Sequence, residues 1–419
     1  MAQLQAYEQY QPIDYDYVKQ LPVDWRLLPN IAIFQERIER GHNNEELLSV
    51  TIGKGVIKQS DLDKKDSSTL DKSKYLLVYP DDLVYSMRFR QGASGYSNYK
   101  GIVSPACTVL KPRKGVMLNS RYYHYMIRTG FYKNYAERYA YGIADGQMPL
   151  RYTDFKRMYS IVPPLDTQNR IVEYLDKKND EIDRFIRNKE KLIALLEEER
   201  RIIILSNITG GNIDASSKND WKIIPLRYCC KVIDCKHITP VYVSEGIPIV
   251  SPGELKPYSI NYSGLRLVSQ HDYHEITEGG RKPINGDILY SRNASVGSAC
   301  FVDGVTDFCM GQDVCLIRSK KFNGRYLEHV LNSDLILRRV ESILIGATIR
   351  RINISEIKKL NVPFPPIEIQ NLICSKIEIS TKIIGTAISK AQQEITAIKE
   401  YREALITDLV TGKRSLPLS

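Results

Sequence analysis

The chain has 419 residues, which is room for two or three domains that each bury a core. Its 43% hydrophobic and 26% charged residues are typical of a soluble globular protein, and it has no run of about 18 apolar residues that predicts a membrane span. Residues 1–20 lack a signal-peptide pattern and the eight cysteines are unevenly spread, so we expect a cytoplasmic protein with reduced thiols. The net charge of +10 is compatible with a polyanionic partner but does not require one.

The first part of the chain predicts an arm followed by an α+β domain. Residues 1–20 are expected to form an N-terminal arm or a first helix, and Asp24–Trp25 stands near the start of a domain spanning residues 21–162. The segment Arg121–Tyr135 favours a helix. Runs of β-branched and aromatic residues predict strands at Tyr75–Tyr79, Asp82–Tyr85 and Ala106–Leu110.

A long helix is predicted next, within residues 163–212. The motif Pro163–Pro164–Leu165–Asp166–Thr167–Gln168 precedes an apolar-periodic run that ends at Gly210–Gly211. Prolines before a helix and glycines after it are the usual punctuation, so the helix is expected from about Asp166 to Ser206. At 1.5 Å per residue it is roughly 60 Å long, which exceeds a small domain, and its apolar face needs a partner.

The second half of the chain repeats this plan. Asp220–Trp221 stands near the start of a second α+β domain, residues 213–364, and a second long helix from about Glu368 to Leu409 lies within residues 365–419. The segments that resemble one another in the two domains are Gly286–Ser291 with Asp81–Ser86, Val314–Ile317 with Cys107–Leu110, and the short predicted helices Ser355–Lys358 with Thr153–Lys156.

The two long helices are copies of one pattern at a constant offset of 202 residues, from Pro163 to Pro365 and from Gln168 to Gln370. Their apolar residues coincide at spacings of 3, 4 and 7, which mark one face of a helix. We therefore predict an internal pseudo-two-fold repeat in which the helices pair as an antiparallel coiled coil. The expected pairing residues are Ile171, Leu175, Ile182, Ile186, Ile193, Leu196 and Ile203, with Ile373, Ile377, Ile384, Ile388, Ile395, Ile398 and Leu405.

Such an arrangement is compatible with two functions. DNA-binding dimers place two reading heads one or more helical turns of DNA apart, at about 34–36 Å per turn. A fused pseudo-dimer with unlike heads can read two unlike half-sites across a fixed gap. The alternative is a scaffold whose long paired helices assemble an enzyme complex without reading DNA. From the repeat alone both interpretations stay open.

Catalytic and metal-binding motifs are not predicted. Pro365–Pro366 lacks the acidic or amide residue before it and the aromatic residue after it that an adenine methyltransferase loop needs, which disfavours a stand-alone modification enzyme. Ile52–Gly53–Lys54–Gly55 lacks the upstream glycine and the following Ser/Thr of a phosphate-binding loop. The group Cys229, Cys230, Cys235 and His237 does not have the spacing of paired zinc ligands, and His271 and His274 are expected on an exposed turn.

The candidate DNA-binding residues are basic, amide and hydroxyl side chains in loops beside strands. Arg and Lys can bond guanine or phosphate, and Asn or Gln can bond adenine, with phosphate contacts expected to outnumber base contacts. Gly92 and Gly95 allow the backbone a close approach. The first domain contributes Arg88, Arg90, Gln91, Ser94, Tyr96, Asn98, Tyr99 and Lys100, and the second contributes Lys236, His237, Arg292, Asn293, Ser295, Arg350 and Arg351.

Several motifs of the chain resemble those of a known family. The chain resembles the specificity subunit of a type I restriction–modification system over nearly all of its length. The similarity lies in the repeated Pro-Pro-(Leu/Ile)-(Asp/Glu)-x-Gln helix entry, the two Asp–Trp pairs, Gly286–Gly297 and Gly101–Ala106. The chain departs from the family pattern at Asp166–Thr167 and at Ile369, where acidic residues are usual.

The resemblance implies a non-catalytic DNA reader that binds no cofactor itself. Two target recognition domains each read one half of a bipartite, asymmetric sequence in double-stranded DNA, and the helices set the spacer. The helices also dock two methyltransferase subunits, which hold S-adenosylmethionine, and restriction subunits that translocate DNA with ATP and Mg can join the complex. No membrane partner is implied.

Overall fold

A computed structural model gives the fold for residues 4–15, 17–62, 69, 71–140, 150–211, 221–304, 307–345 and 350–416, and Asp220 of the second Asp–Trp pair lies outside these ranges. The chain divides into unit 1, Met1–Lys189 with Gln393–Ser419, and unit 2, Glu190–Gln392. Within the ranges given, no helix is both long enough and apolar enough to cross a membrane.

Unit 1 mixes short strands and helices. Its strands are β1 (Tyr10–Tyr15), β2 (Val18–Pro22), β3 (Arg26–Pro29), β4 (Phe34–Glu36), β5 (Leu48–Thr51), β6 (Gly55–Lys58), β7 (Leu76–Val78), β8 (Leu83–Tyr85), β9 (Ser94–Tyr96), β10 (Gly101–Val103), β11 (Thr108–Pro112) and β12 (Tyr159–Val162). Its helices are α1 (Asn30–Ile33), α2 (Ser120–Arg128), α3 (Gly130–Glu137), α4 (Tyr152–Phe155) and the first part of α5 (Leu165–Ile208), which ends in unit 2.

Unit 2 is built from the same kinds of element. Its strands are β13 (Lys222–Pro225), β14 (Lys231–Asp234), β15 (Tyr242–Val243), β16 (Ile247–Val250), β17 (Leu255–Lys256), β18 (Ser259–Ile260), β19 (Leu267–Val268), β20 (Ile288–Ser291), β21 (Ala299–Phe301), β22 (Cys309–Met310), β23 (Val314–Arg318) and β24 (Asn361–Phe364). Its helices are α6 (Gln270–Thr277), α7 (Gly324–Leu331), α8 (Asp334–Leu344), α9 (Ile354–Lys358) and the first part of α10 (Ile367–Val410), which ends in unit 1.

Each unit has a central four-stranded antiparallel sheet with the same connectivity. The strand order is β4-β11-β8-β9 in unit 1 and β14-β23-β20-β21 in unit 2. In both sheets the middle strands are buried, because runs such as Leu83–Tyr85 and Ile288–Ser291 have protein on both faces. The predicted correspondence between these two segments is therefore present in the fold.

A two-stranded ladder closes each domain beside its long helix. β3 pairs with β12 in unit 1, and β13 pairs with β24 in unit 2, both antiparallel. The second strand of each ladder runs directly into the Pro-Pro motif. The ladders thus bring the start of each domain next to the helix that follows it.

The two predicted long helices are present, and each has 44 residues, or about 66 Å at 1.5 Å per residue. Both end at a glycine in the left-handed conformation, Gly210 with φ 77° and Gly412 with φ 73°. Glycine adopts this conformation without steric cost, so it stops a helix cleanly.

The apolar faces of the long helices contribute to the core of each unit. In unit 1, Ile171 and Leu175 of α5 share a core with Leu405 of α10, and the Arg402 guanidinium donates to the Asp183 carboxylate. In unit 2, Ile204 of α5 shares a core with residues at the start of α10. Of the predicted pairing residues, Ile171, Leu175, Ile182, Ile373, Ile377, Ile384 and Leu405 are buried, and Ile186, Ile193, Leu196, Ile203, Ile388, Ile395 and Ile398 are half-buried.

Three predictions differ from the structure. His271 and His274, expected on an exposed turn, are exposed but lie on helix α6. Of the two alternatives for residues 1–20, an arm or a first helix, the helix is wrong, because Tyr10–Tyr15 and Val18–Pro22 pair as strands β1 and β2 and Pro12 cannot occupy a helix interior. The single helix expected over Arg121–Tyr135 is two helices. Thr129 has an extended backbone, and its hydroxyl accepts a hydrogen bond from Tyr132 N, so it caps a new helix.

Candidate nucleic-acid interface

The glutamine of each Pro-Pro motif fastens the long helix to the domain beside it. Gln168 is 1% exposed, its Oε1 accepts from Asn119 N at 2.9 Å, and its Nε2 donates to Pro163 O at 2.9 Å. Asn119 in turn caps α2 by accepting from Arg121 N, and its Nδ2 donates to Asn169 Oδ1. The amide thus orients α2 relative to α5 through paired buried hydrogen bonds.

Unit 2 repeats this arrangement atom for atom. Gln370 is fully buried, its Oε1 accepts from Asn323 N at 2.8 Å, and its Nε2 donates to Pro365 O at 2.9 Å. Asn323 caps α7, and its Nδ2 donates to Asn371 Oδ1. We refer to Gln168 and Gln370, with these bonds, as the glutamine latches. They are structural, and they place the helix that lies against β9 or β21.

The candidates of unit 1 lie on the stretch that connects β8 to β10. Arg88 is exposed and, in the part of the chain given by the structure, has no carboxylate within ion-pair distance. Arg90 pairs with Glu137 at 2.7 Å, and Lys100 pairs with Glu45. Gln91 and Asn98 are exposed, Tyr96 and Tyr99 are half-buried, and Ser94 is buried.

In unit 2, the structure brings several candidates together around Asp313. Asp313 accepts a hydrogen bond from Asn293 Nδ2 at 3.3 Å and forms an ion pair with Arg351, whose Nε lies 2.7 Å from Asp313 Oδ1. Arg292 is 4% exposed, and its side chain donates to Asp234 and to Ile352 O, so its charge is committed inside the domain. Ser295 donates to Pro252 O.

The other candidates of unit 2 lie apart from this cluster. Lys236 pairs with Glu278 at 2.8 Å and with Glu275 at 3.5 Å, and Arg350 pairs with Glu341 at 2.7 Å. His237 is exposed, and its Nε2 lies 3.4 Å from Asp234 Oδ2. These side chains are accessible, but each of them already faces a carboxylate.

Two groups of side chains in the described ranges have the composition of a metal site, His271–Asp272–Glu275 and a second group that includes the predicted candidate His237. Asp234, Cys235 and His237 bring a carboxylate, a thiol and an imidazole within 4.8 Å of one another. Asp234 is already bound by the buried Arg292, and burial raises the pKa of the Cys235 thiol, which disfavours the thiolate that a metal needs. The two features oppose metal binding, and that no metal binds here stays a prediction.

A cavity lies at the same end of the central sheet in each unit. In unit 1 a cavity of about 330 Å³ opens where β8 ends and β11 begins, and Arg40 and Arg151 line it. In unit 2 a cavity of about 430 Å³ opens where β20 ends and β23 begins, and Asn293, Gln312 and Arg266 line it. The duplicated sheets therefore present unlike sets of basic and amide groups at equivalent places.

Equivalent helix positions satisfy the same backbone group with different side chains. Tyr96 N donates to His124 Nδ1 at 3.4 Å in unit 1, and Phe301 N donates to Glu328 Oε1 at 2.8 Å in unit 2. Burial, followed by the nearby arginines, lowers the pKa of His124 to about 3, so the imidazole is neutral at pH 7. Burial raises the pKa of Glu328. The fold is shared between the units, but the chemistry is not.

Sequence reasoning missed the role of several residues. The latches were interpreted only as helix entries, although the equal spacing from each Pro-Pro pair to its glutamine was a signal. The sequence does not select Arg40 and Arg151 of unit 1 or Arg266 and Gln312 of unit 2. The members of each pair are far apart in the sequence, and only the sheet topology brings them to the same cavity.

Comparisons with known proteins agree with this duplicated architecture. A family model described as type I restriction modification DNA specificity domain matches the chain twice, over residues 43–198 and 220–397. A Methanocaldococcus jannaschii protein assigned as the type I restriction enzyme MjaX specificity subunit is 22% identical over 376 residues, covering 83% of this chain and 82% of that protein. The MjaVIII specificity subunit of the same organism is 18% identical over 359 residues, 81% of each.

Solved structures share the fold. A chain from a study of complex assembly and conformational transition of the type I R-M system aligns with a TM-score of 0.73 at 14% identity, covering 94% of this chain and 99% of that one. The HsdS subunit of Thermoanaerobacter tengcongensis aligns with a TM-score of 0.56 at 16% identity, covering 96% and 99%. At these identities the likeness concerns the fold alone.

Proposed function

Because the chain belongs to the type I restriction modification DNA specificity domain family, we propose that it is the DNA-reading subunit of such a system. In this role each unit reads one half of a bipartite, asymmetric sequence in double-stranded DNA. The chain itself carries out no chemistry on the DNA. S-adenosylmethionine binds to methyltransferase partners, and ATP and Mg act in the restriction partner.

The observation that carries this proposal is the pair of equivalent sheet ends with unlike side chains. A reader of an asymmetric sequence needs two copies of one scaffold with different donors and acceptors. Unit 1 offers arginines at its cavity, and unit 2 offers Asn293 and Gln312 with Arg266. Arginine suits guanine O6/N7, and an amide suits adenine N6/N7, so the two sets favour different bases.

We also propose that α5 and α10 pair as an antiparallel coiled coil that sets the spacer. In unit 1 the support is directional: Asp183 of α5 meets Arg402, whereas Lys189, farther along α5, meets the earlier residue Glu394 at 2.5 Å. Rising numbers on one helix meet falling numbers on the other. A coiled coil of fixed length is a suitable ruler between two half-sites.

The long helices also provide a surface for methyltransferase subunits. Leu195 and Ile202 of α5 are 53% and 59% exposed, and Ile379 and Ile383 of α10 are 64% and 68% exposed. Exposed apolar groups at helical spacing favour a partner helix with an apolar face. Two such surfaces fit two methyltransferase subunits, and restriction subunits join that assembly.

To test this proposal, the full chain is expressed together with its methyltransferase subunit, and the methylated sites are mapped in a random-sequence plasmid library. The expected result is one bipartite motif with a fixed gap. Gln312→Ala alters one half of that motif, whereas Gln393→Ala, an exposed glutamine on α10, leaves both halves unchanged. A complex that binds or methylates every sequence equally would favour the scaffold function instead.

A further inference from the structure

A half-buried arginine in unit 1 fastens the β5–β6 hairpin to the candidate DNA-binding stretch. Arg128, the last residue of α2, donates from Nη2 to Ile52 O at 2.7 Å and to Gly53 O at 3.0 Å. From Nη1 it donates to Gly92 O at 2.8 Å and to Ser94 O. One guanidinium thus joins the turn of the β5–β6 hairpin to the start of β9.

Close backbone packing holds the hairpin against β9 as well. A Cβ added at Gly95 would lie 3.0 Å from Gly55 Cα and 3.0 Å from His124 Nδ1, so a side chain there would press the hairpin and the helix away from β9. The turn itself is closed by Thr51, whose Oγ1 donates to Gly55 O at 3.0 Å and accepts from Lys54 N at 3.0 Å. Hydrogen bonds therefore hold the hairpin tip in place, although residues 52–54 are exposed.

The tip exposes groups that a domain does not need for its own core. Ile52 is 45% exposed, and Gly53 and Lys54 are exposed. The turn that carries Arg88 to Gln91 is its neighbour, since a Cβ at Gly92 would lie 3.5 Å from Ile52 O. An apolar side chain and three basic side chains, those of Lys54, Arg88 and Arg90, thus lie on adjoining turns.

Among the residues that the structure describes, the charge on Arg128 is not neutralised by a carboxylate. Its four acceptors are uncharged carbonyls, and within the described ranges no carboxylate lies at ion-pair distance. Guanidinium stays protonated in proteins even when burial lowers its pKa, as it does here. The positive charge beneath the hairpin tip therefore attracts an anion from outside the chain.

Unit 2 uses the equivalent position differently. Asn332, directly after α7, is the equivalent of Arg128 at the end of α2. Its Nδ2 donates to Ala299 O at 2.8 Å, and its Oδ1 accepts from Ala299 N at 3.0 Å. The short amide satisfies β21 alone. Arg128 reaches beyond β9 to a second element, so fastening the strand does not explain its length or its charge.

We propose that the β5–β6 hairpin tip and the Arg88–Gln91 turn form a DNA-contacting element of unit 1, and that Arg128 is its positioning residue. This inference rests on the proposed function. The major groove of B-DNA admits a two-stranded β-ribbon, in which Ile52 meets a thymine methyl group and Lys54 meets a phosphate or a guanine edge.

The test uses the full chain with its methyltransferase subunit. Variants are Lys54→Ala, which removes an exposed side chain, and Arg128→Lys, which keeps the charge but loses the forked donor. Lys114→Ala is the matched control. Lys114 is also exposed in unit 1, but it follows the C-terminal end of β11, outside the hairpin tip and the Arg88–Gln91 turn. The methylated motif is mapped for each variant, and binding to a duplex with the wild-type motif is measured against salt.

We expect Lys54→Ala to weaken binding about tenfold and to reduce the slope of log K against log salt by about 1. Arg128→Lys is expected to relax the same half of the motif that Lys54→Ala affects, with the other half kept. If Lys54→Ala matches Lys114→Ala in affinity, slope and motif, the inference is wrong. If the wild-type complex has no bipartite motif, the proposed function fails instead, so the two failures are distinguishable.

Discussion

The glutamine latch of unit 2 allows a quantitative test of how the long helix is fastened to its domain. In Gln370→Ala, Asn323 N and Pro365 O both lose their partners in a buried site. A buried polar group left without a partner costs about 1–3 kcal/mol, so two such groups predict a loss of about 2–6 kcal/mol in unfolding free energy. Gln393→Ala on the same helix is the control, because that side chain is exposed.

Each unit contains one tryptophan, which makes the assay local. Trp221 reports unit 2 and Trp25 reports unit 1, so Trp25→Phe and Trp221→Phe backgrounds separate the two signals in urea titrations followed by fluorescence. Gln370→Ala is expected to lower the stability reported by Trp221 much more than that reported by Trp25. A loss below about 0.5 kcal/mol at Trp221, equal to that of Gln393→Ala, would refute the assignment of the latch.

Three further predictions concern charge and length. Since the pKa of His124 is lowered by burial to about 3 and the unfolded imidazole titrates near 6.5, stability is retained above pH 6.5 and falls by about 2 kcal/mol by pH 5. His124→Gln keeps an acceptor and should remove this part of the pH dependence of urea unfolding, whereas exposed His42→Gln should not. Arg292→Met leaves Asp234 without its cation and should cost about 3 kcal/mol in the same assay, against little for Arg350→Met. Four residues inserted into both α5 and α10 add about 6 Å, so the mapped motif should gain one to two base pairs of spacer with unchanged halves, and altered halves would contradict the ruler.

The sequence predicted the long helices because helix periodicity persists over 44 residues and prolines and glycines mark the ends. It also predicted the strands that form the centre of each sheet, since those are short apolar runs. The alternative of a first helix failed within residues 1–20, where the alternation of strands is weak, and the single helix failed at Thr129, where a hydroxyl cap interrupts helical residues without a proline. These are local competitions that composition does not decide.

The candidate interface was less predictable, for a reason that Arg292 and Arg128 illustrate. Both are arginines near candidate loops, but the sequence selected Arg292, which is buried against Asp234, and omitted Arg128, which binds two loops. Whether a guanidinium forms its hydrogen bonds and ion pairs inside a domain depends on which carboxylates and carbonyls the tertiary fold brings to it. Residue type restricts what a side chain can bind, and only the fold decides what remains for a partner.

The two units show how a duplicated scaffold diverges without losing its frame. The latches are the same in both copies, since the donor, acceptor and cap recur at Asn119 and Asn323, and they fix the backbone on which each helix sits. Positions on that helix then differ: His124 stands where unit 2 has Glu328, although each accepts the same strand N–H. A reader of two unlike half-sites requires this separation, because the spacing must be invariant while the contacts vary. The hydrogen bonds at the helix entry recur in both units, and they therefore allow the sheet ends and the hairpin to change independently in each unit.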